Sequence, residues 1–211
     1  MENNLTISKD WTGNSVAYAK TLGASSHASY EREKHDYYAT EPKAVRLFLE
    51  IEKFEGKIWE CACGEGSLSE EMKLLGYDVY SSDLVDRGYG EQFDFLSGNM
   101  SNYLSETNKT IDMNIITNPP YKYANDFIVK ALSIMQTSKK LALFLPIRYL
   151  EGKARKKIFK ENPPKIIYVS SSRLICAING EFHKQKGSAV SYAWFVWEKG
   201  YQGKTIIDWF N

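Results

Sequence analysis

The run Lys57-Ile58-Trp59-Glu60-Cys61-Ala62-Cys63-Gly64-Glu65-Gly66-Ser67-Leu68-Ser69-Glu70 decides the fold. Its first five residues read as a buried strand and Gly64-Glu65-Gly66 as a turn. Ser67 to Glu70 reads as a capping box that opens a helix. Leu68, Met72 and Leu75 are expected on that helix's inner face, with Gly76 ending it. A strand, a glycine turn and a helix in that order form the unit from which parallel sheets are built. The turn falls where a cofactor meets backbone amides at a helix N-terminus.

The same alternation continues on both sides of this unit. Upstream, the sequence predicts a helix from Tyr37, with Thr40 as N-cap, Pro42 in the first turn and Val45, Phe48 and Leu49 on one face. Gly56 closes it. Downstream, strands are expected at residues 78–82, around Phe93, at 112–117 and at 141–145. Ala124, Phe127, Ile128, Ala131, Leu132 and Met135 recur at helical spacing after the fourth strand. A basic, weakly helical segment follows the fifth strand and stops at Pro163-Pro164. Residues 165–177 and 189–197 read as a final strand pair joined by a polar connection at 179–188. The expected fold is α/β, a mostly parallel central sheet with an antiparallel C-terminal strand pair.

Residues 1–35 are polar and lack apolar periodicity, so they read as an N-terminal arm. Residues 36–211 then form a single domain. No apolar stretch approaches a membrane span, and Met1-Glu2-Asn3-Asn4 lacks the regions of a signal peptide. Three cysteines, with Cys61 and Cys63 two apart and the histidines distant, suit neither a disulfide framework nor a metal site. The expectation is a cytoplasmic protein without a metal. Net charge is +1, so any basic nucleic-acid surface must be local.

Two constellations carry chemistry. At the glycine turn no third glycine follows Gly66, and Glu60 and Glu65 would repel a pyrophosphate. Carboxylates there suit a cationic cofactor, and S-adenosylmethionine carries a sulfonium and an ammonium group. Asp83 ends the second strand 23 residues after Glu60, the spacing at which an acid can take both ribose hydroxyls. Asp94 is placed to accept from an adenine amino group, with Phe95 against the ring. The second constellation is Asn118-Pro119-Pro120-Tyr121, closing the fourth strand. The prolines make a rigid turn that gathers an amide oxygen (Asn118), a carbonyl (Pro119) and an aromatic face (Tyr121) around one point. Two acceptors and a ring suit a conjugated planar amino group: adenine, cytosine or a glutamine amide. Each acid or turn alone has a plainer reading as a cap or a proline turn. The ordered set, each member ending a successive strand, points to function.

On these residues the chain resembles the S-adenosylmethionine-dependent DNA adenine-N6 methyltransferases with an Asn/Asp-Pro-Pro-Tyr signature, in particular small versions carried by phages and mobile elements. The resemblance covers roughly residues 36–200 and implies a Rossmann-like methyltransferase fold. It implies cofactor contacts at Glu60, Ala62, Cys63, Gly64 and Gly66, at Asp83, and at Asp94-Phe95. Tyr38-Ala39-Thr40-Glu41-Pro42 matches the family segment that closes over the methionine moiety, with one residue inserted before the proline, which carries over Tyr38 and Thr40. Asn118, Pro119, Pro120 and Tyr121 become the catalytic turn, acting on a flipped base. The chain departs from many members in having no room after that turn for a separate target-recognition domain. Between Arg148 and Lys165 lie seven basic residues against two acids, a local charge of +5. Arg148, Arg155, Lys156 and Lys157 are the expected DNA phosphate contacts. An RNA adenine methyltransferase, a protein glutamine-amide methyltransferase and a catalytically silent nucleic-acid-binding module remain alternatives. Oligomeric state is not legible.

Overall fold

The computed structural model describes residues 38–101, 103–105, 109–178 and 190–211. The N-terminal arm and the 179–188 connection lie outside these, and of Tyr38 only the backbone is described. In chain order the elements are β1 (Tyr38–Thr40), α1 (Pro42–Ile51), β2 (Ile58–Glu60), α2 (Ser67–Leu74), β3 (Val79–Asp83), β4 (Glu91–Gln92) and β5 (Asn114–Thr117). A 3-10 turn (Tyr121–Tyr123) leads into α3 (Ala124–Ile134). Then come β6 (Lys140–Pro146), a second 3-10 turn (Ile147–Leu150), α4 (Lys153–Glu161), β7 (Ile166–Ser170), β8 (Cys176–Ile178), β9 (Tyr192–Glu198) and β10 (Ile206–Phe210).

Eight strands form one sheet in the order β10-β7-β9-β6-β5-β2-β3-β4. All are parallel except β9, which runs antiparallel to both β6 and β7. The antiparallel β7–β9 pair is therefore present, but β9 inserts between β7 and β6 rather than closing an edge. β10, whose β-branched and aromatic run Thr205-Ile206-Ile207-Asp208-Trp209-Phe210 went unread in the sequence, extends the sheet beyond β7. β8 leaves the sheet altogether and pairs with β1, setting Thr40 opposite Cys176.

The central strands are apolar on both faces, as a doubly covered sheet demands. Leu141, Leu143, Phe195 and Trp197 face the side covered by α3, where Ile128 and Ala131 pack. Ala142, Phe144, Trp194 and Val196 face the side covered by α1 and α2. There Phe48 stacks on Trp194 at 4.5 Å, and the indole Nε1 donates to the Ala44 carbonyl (3.1 Å).

Two local expectations need correction. Thr40 does not cap α1. It is the last residue of β1, and position 41 precedes a helix begun by Pro42. The capping box does not form either, because Gly66 occupies the N-cap and Ser67 is already helical. Glu70 turns outward to Tyr89 and Lys73, and Leu75 lies past the helix end, partly exposed. In both places tertiary pairing overrode a good local signal.

Candidate active site

The order of strands reverses at β2, with β3 on one side and β5 on the other. Ligands of open α/β sheets sit outside the carboxyl ends at such a switch point. Glu60, Asp83 and Asn118 all lie at that edge, ending or directly following β2, β3 and β5.

The glycine turn is held from behind. Gly64 and Gly66 both have positive φ (+55° and +85°), a conformation natural to glycine. The Gly64 amide donates to Asp83 Oδ2 (2.8 Å) and the Val85 amide to Oδ1 (3.0 Å), so Asp83 ties the turn to the end of β3. Each carboxylate oxygen keeps acceptor capacity beyond these bonds. Above Gly66 lies the ring of Tyr89, so close that an added Cβ would fall 2.5 Å from it. The Tyr89 hydroxyl donates to Glu70 (2.5 Å) and accepts from Lys73 (2.7 Å), latching the loop after β3 onto α2.

Glu60 does not point into open space. It is 2% exposed and accepts from the Ser69 hydroxyl of α2, which lies 2.6 Å from Ser81 Oγ. Burial pushes its carboxyl up to about 8, so near neutral pH it is largely protonated. Cys61 and Cys63 are buried thiols, and burial pushes Cys63 up to about 12.

Asp94 caps its own turn. Its carboxylate accepts from the Leu96 amide (2.9 Å), the Ser97 amide (3.1 Å) and the Ser97 hydroxyl, and the Ser97 hydroxyl chiefly holds it below the usual range. Phe95 is 3% exposed, and its ring packs between Trp59 (5.3 Å) and Phe127 (5.1 Å) in the core.

At the proline turn, Asn118 Nδ2 donates to Thr40 Oγ1 at 2.8 Å. The Tyr121 hydroxyl lies 3.8 Å from Cys176 Sγ, and its ring is 6.4 Å from that of Tyr192. Burial, then the neighbouring Cys176 and Tyr192, hold the Tyr121 phenol well above its ordinary range. It therefore stays neutral and is no proton acceptor at physiological pH.

The basic segment divides. Arg148 follows β6 at the same sheet edge and is exposed, as are Lys153 and Lys156. Arg155 is engaged: its guanidinium sits 4.7 Å over the Tyr149 ring and its Nε donates to the Glu151 carbonyl (2.5 Å). Lys157 pairs with Glu161 at 3.8 Å one turn further on.

Several neighbours of the site escaped the sequence reading. Leu84, directly after Asp83, is 54% exposed, and an apolar residue behind a strand-ending acid was a readable signal. Cys176 and Tyr192 arrive from β8 and β9, far along the chain, and nothing local marks them. Thr117 Oγ1 is buried with no hydrogen-bond partner among the described residues. Among those residues no cluster suits a metal ion, and no helix is long and apolar enough to cross a membrane.

No protein-family model matches the sequence, and no curated protein is similar to it. Solved structures do resemble its fold. A modification subunit assigned to a type I restriction enzyme of Vibrio vulnificus is 14% identical, over 90% of this chain and 49% of its own, with a TM-score of 0.54. A protein of Agrobacterium tumefaciens predicted to be an O-methyltransferase is 15% identical over 75% and 81%, with a TM-score of 0.50. A protein of Listeria monocytogenes assigned as a class I S-adenosylmethionine-dependent methyltransferase is 14% identical over 79% and 62%, with a TM-score of 0.48. The chain thus spans about half to two thirds of the Vibrio and Listeria proteins. The mostly parallel sheet with its antiparallel C-terminal pair, flanked by helices, is the Rossmann-like methyltransferase fold.

Proposed function

We propose that the chain transfers the methyl group of S-adenosylmethionine to the exocyclic amino group of adenine in DNA. The carrying observation is that the glycine turn after β2 and the proline turn after β5 end hydrogen-bonded neighbours at one switch point.

The donor set fits this cofactor. Gly64 and Gly66 set a positive-φ backbone at the N-terminus of α2, and the Asp83 carboxylate beside that turn favours a cation over a pyrophosphate. Asp83 retains acceptor capacity for ribose hydroxyls, and Ala62 and Cys63 line the turn. A cationic group held beside Glu60 would favour its carboxylate over the buried, protonated form. When bound, S-adenosylmethionine supplies an electrophilic methyl carbon on a sulfonium.

The protein's own contribution is positioning. The Asn118 amide oxygen and the Pro119 carbonyl accept the two amino hydrogens, steering the nitrogen lone pair out of conjugation. The face of Tyr121 grips the base. No strong general base is required, since the nitrogen can release its proton after the methyl arrives, and the neutral Tyr121 phenol accords with that.

Two further features support a nucleic acid. One structural neighbour is the modification subunit assigned to a restriction enzyme. In addition, α4 begins with Lys153, Arg155 and Lys156 and has no acid in its first turn. Cations there oppose the helix dipole, a cost that phosphate binding offsets.

Calorimetry tests the cofactor half. S-adenosylmethionine should bind, and Asp83→Ala should lose about 1–3 kcal/mol of it. Tight binding of a nicotinamide dinucleotide would overturn this assignment. Sequencing DNA from expressing cells with a modification-sensitive readout tests the substrate half. N6-methyladenine at a recurring site is expected, whereas methylcytosine, or methylation confined to RNA or protein glutamine, would replace adenine in DNA.

A further inference from the structure

We infer that Thr40 is a positioning residue for Asn118: its hydroxyl fixes which end of the Asn118 amide faces the target amino group. The inference rests on the proposed role of Asn118 and moves Thr40 from cofactor contact to the substrate turn.

An asparagine amide carries an acceptor at one end and a donor at the other. Turned one way it receives an amino hydrogen. Flipped, it presents its own N–H groups to the substrate's N–H groups and repels them. A turn that acts through a neutral amide therefore needs a device that sets the flip. Thr40 Oγ1, 2.8 Å from Nδ2, is that device, because it accepts the amide hydrogen and sets the oxygen, itself buried, at the opposite end.

The threonine is itself held. It is 2% exposed and ends β1, where pairing with β8 sets it opposite Cys176. A hydroxyl could instead donate to the asparagine oxygen and impose the wrong flip. Its one hydrogen has an alternative acceptor within reach, Cys176 Sγ at 4.0 Å, where either atom can donate, and the same sulfur lies 3.8 Å from the Tyr121 hydroxyl. Glu41 clamps the pair of strands from the adjacent position. Its amide donates to the Ile175 carbonyl (3.0 Å), and its carboxylate accepts from the Ile175 amide (3.1 Å). The small β1–β8 sheet thus braces both ends of the Asn118–Tyr121 turn.

The test is a double-mutant cycle with a conservative control. Thr40→Val keeps the shape and removes the acceptor, and Thr40→Ser keeps the acceptor. Thr40→Val should lower kcat about 10- to 100-fold, the effect of removing a buried hydrogen bond, with the S-adenosylmethionine Kd changed less than about threefold. Thr40→Ser should recover most of the rate. In an Asn118→Asp background the carboxylate presents oxygen whichever way it turns, so Thr40→Val should there cost less than about threefold. Equal penalties in the two backgrounds, or a tenfold loss of cofactor affinity as the main effect, would overturn the inference. A second readout is independent of turnover. The Asn118 side-chain amide signals in a ¹⁵N spectrum, assigned by their loss in Asn118→Ala, should shift in Thr40→Val and hold in Thr40→Ser. Unmoved signals in Thr40→Val overturn the hydrogen bond itself. Wild-type turnover by Asn118→Ala would instead sink the parent reading while leaving the hydrogen bond measurable.

Discussion

Glu60 shows how a residue legible by type can be misread by state. Its position at the end of β2 is readable from the sequence, and its burial beneath Ser69 is not, because that depends on where α2 packs. A folded-state value near 8 against an ordinary 4.5 means that the native protein holds a proton the unfolded chain has released. Stability should therefore fall as pH rises from about 4.5 to about 8, and this contribution should be flat outside that window. Urea denaturation across pH should show the slope in wild type and lose it in Glu60→Gln. Cofactor affinity should rise over the same window, since the cation must displace the proton. Tyr121 yields a second residue-scale expectation. Tyr121→Ala should weaken the hold on a flipped base by about 1–3 kcal/mol. Tyr121→Phe should keep most activity, because the hydroxyl rests against Cys176 and titrates far above neutral pH. A Phe variant as impaired as Ala would mean that the hydroxyl, not the face, is used.

Elements decide how these residues meet. The β2–turn–α2 unit was readable because hydrophobic period and glycines agreed, whereas its latch, Tyr89, was hidden in a loop without pattern. Gly66→Ala meets two obstacles there, a backbone at φ +85° and a tyrosine ring 2.5 Å from the new Cβ. The backbone alone should cost about 1–2 kcal/mol. Adding Tyr89→Ala should recover the steric part and leave the backbone part, measured again by denaturation. If the double variant is no more stable than Gly66→Ala, the ring is not the obstacle. The basic helix α4 was legible as a charge run but not as a face, since only packing shows Arg155 bound to Tyr149. The informative reversal is therefore Arg148, Lys153 and Lys156 to glutamate. It should weaken binding to all DNA sequences and flatten the salt dependence by about 0.9 in slope for each phosphate no longer neutralised. An unchanged slope would assign α4 to solvent.

At the scale of the molecule, strand order turns scattered motifs into one site. The parallel core was legible because its strands are apolar on both faces, and it alone dictates that β2, β3 and β5 deliver their ends to one edge. The placement of β9 between β6 and β7 and the diversion of β8 to β1 are long-range pairings that no local pattern encodes. They are also what brings Cys176 and Tyr192 to the proline turn. The central claim is that this assembly methylates adenine, and it has a direct measurement. Purified protein is incubated with DNA and S-adenosylmethionine bearing an isotopically labelled methyl group, and the digested nucleosides are resolved by mass. Labelled N6-methyldeoxyadenosine should form with wild type and vanish with Asn118→Ala at undiminished cofactor binding. Label in any other nucleoside, or equal product from the Asn118→Ala variant, would contradict the account.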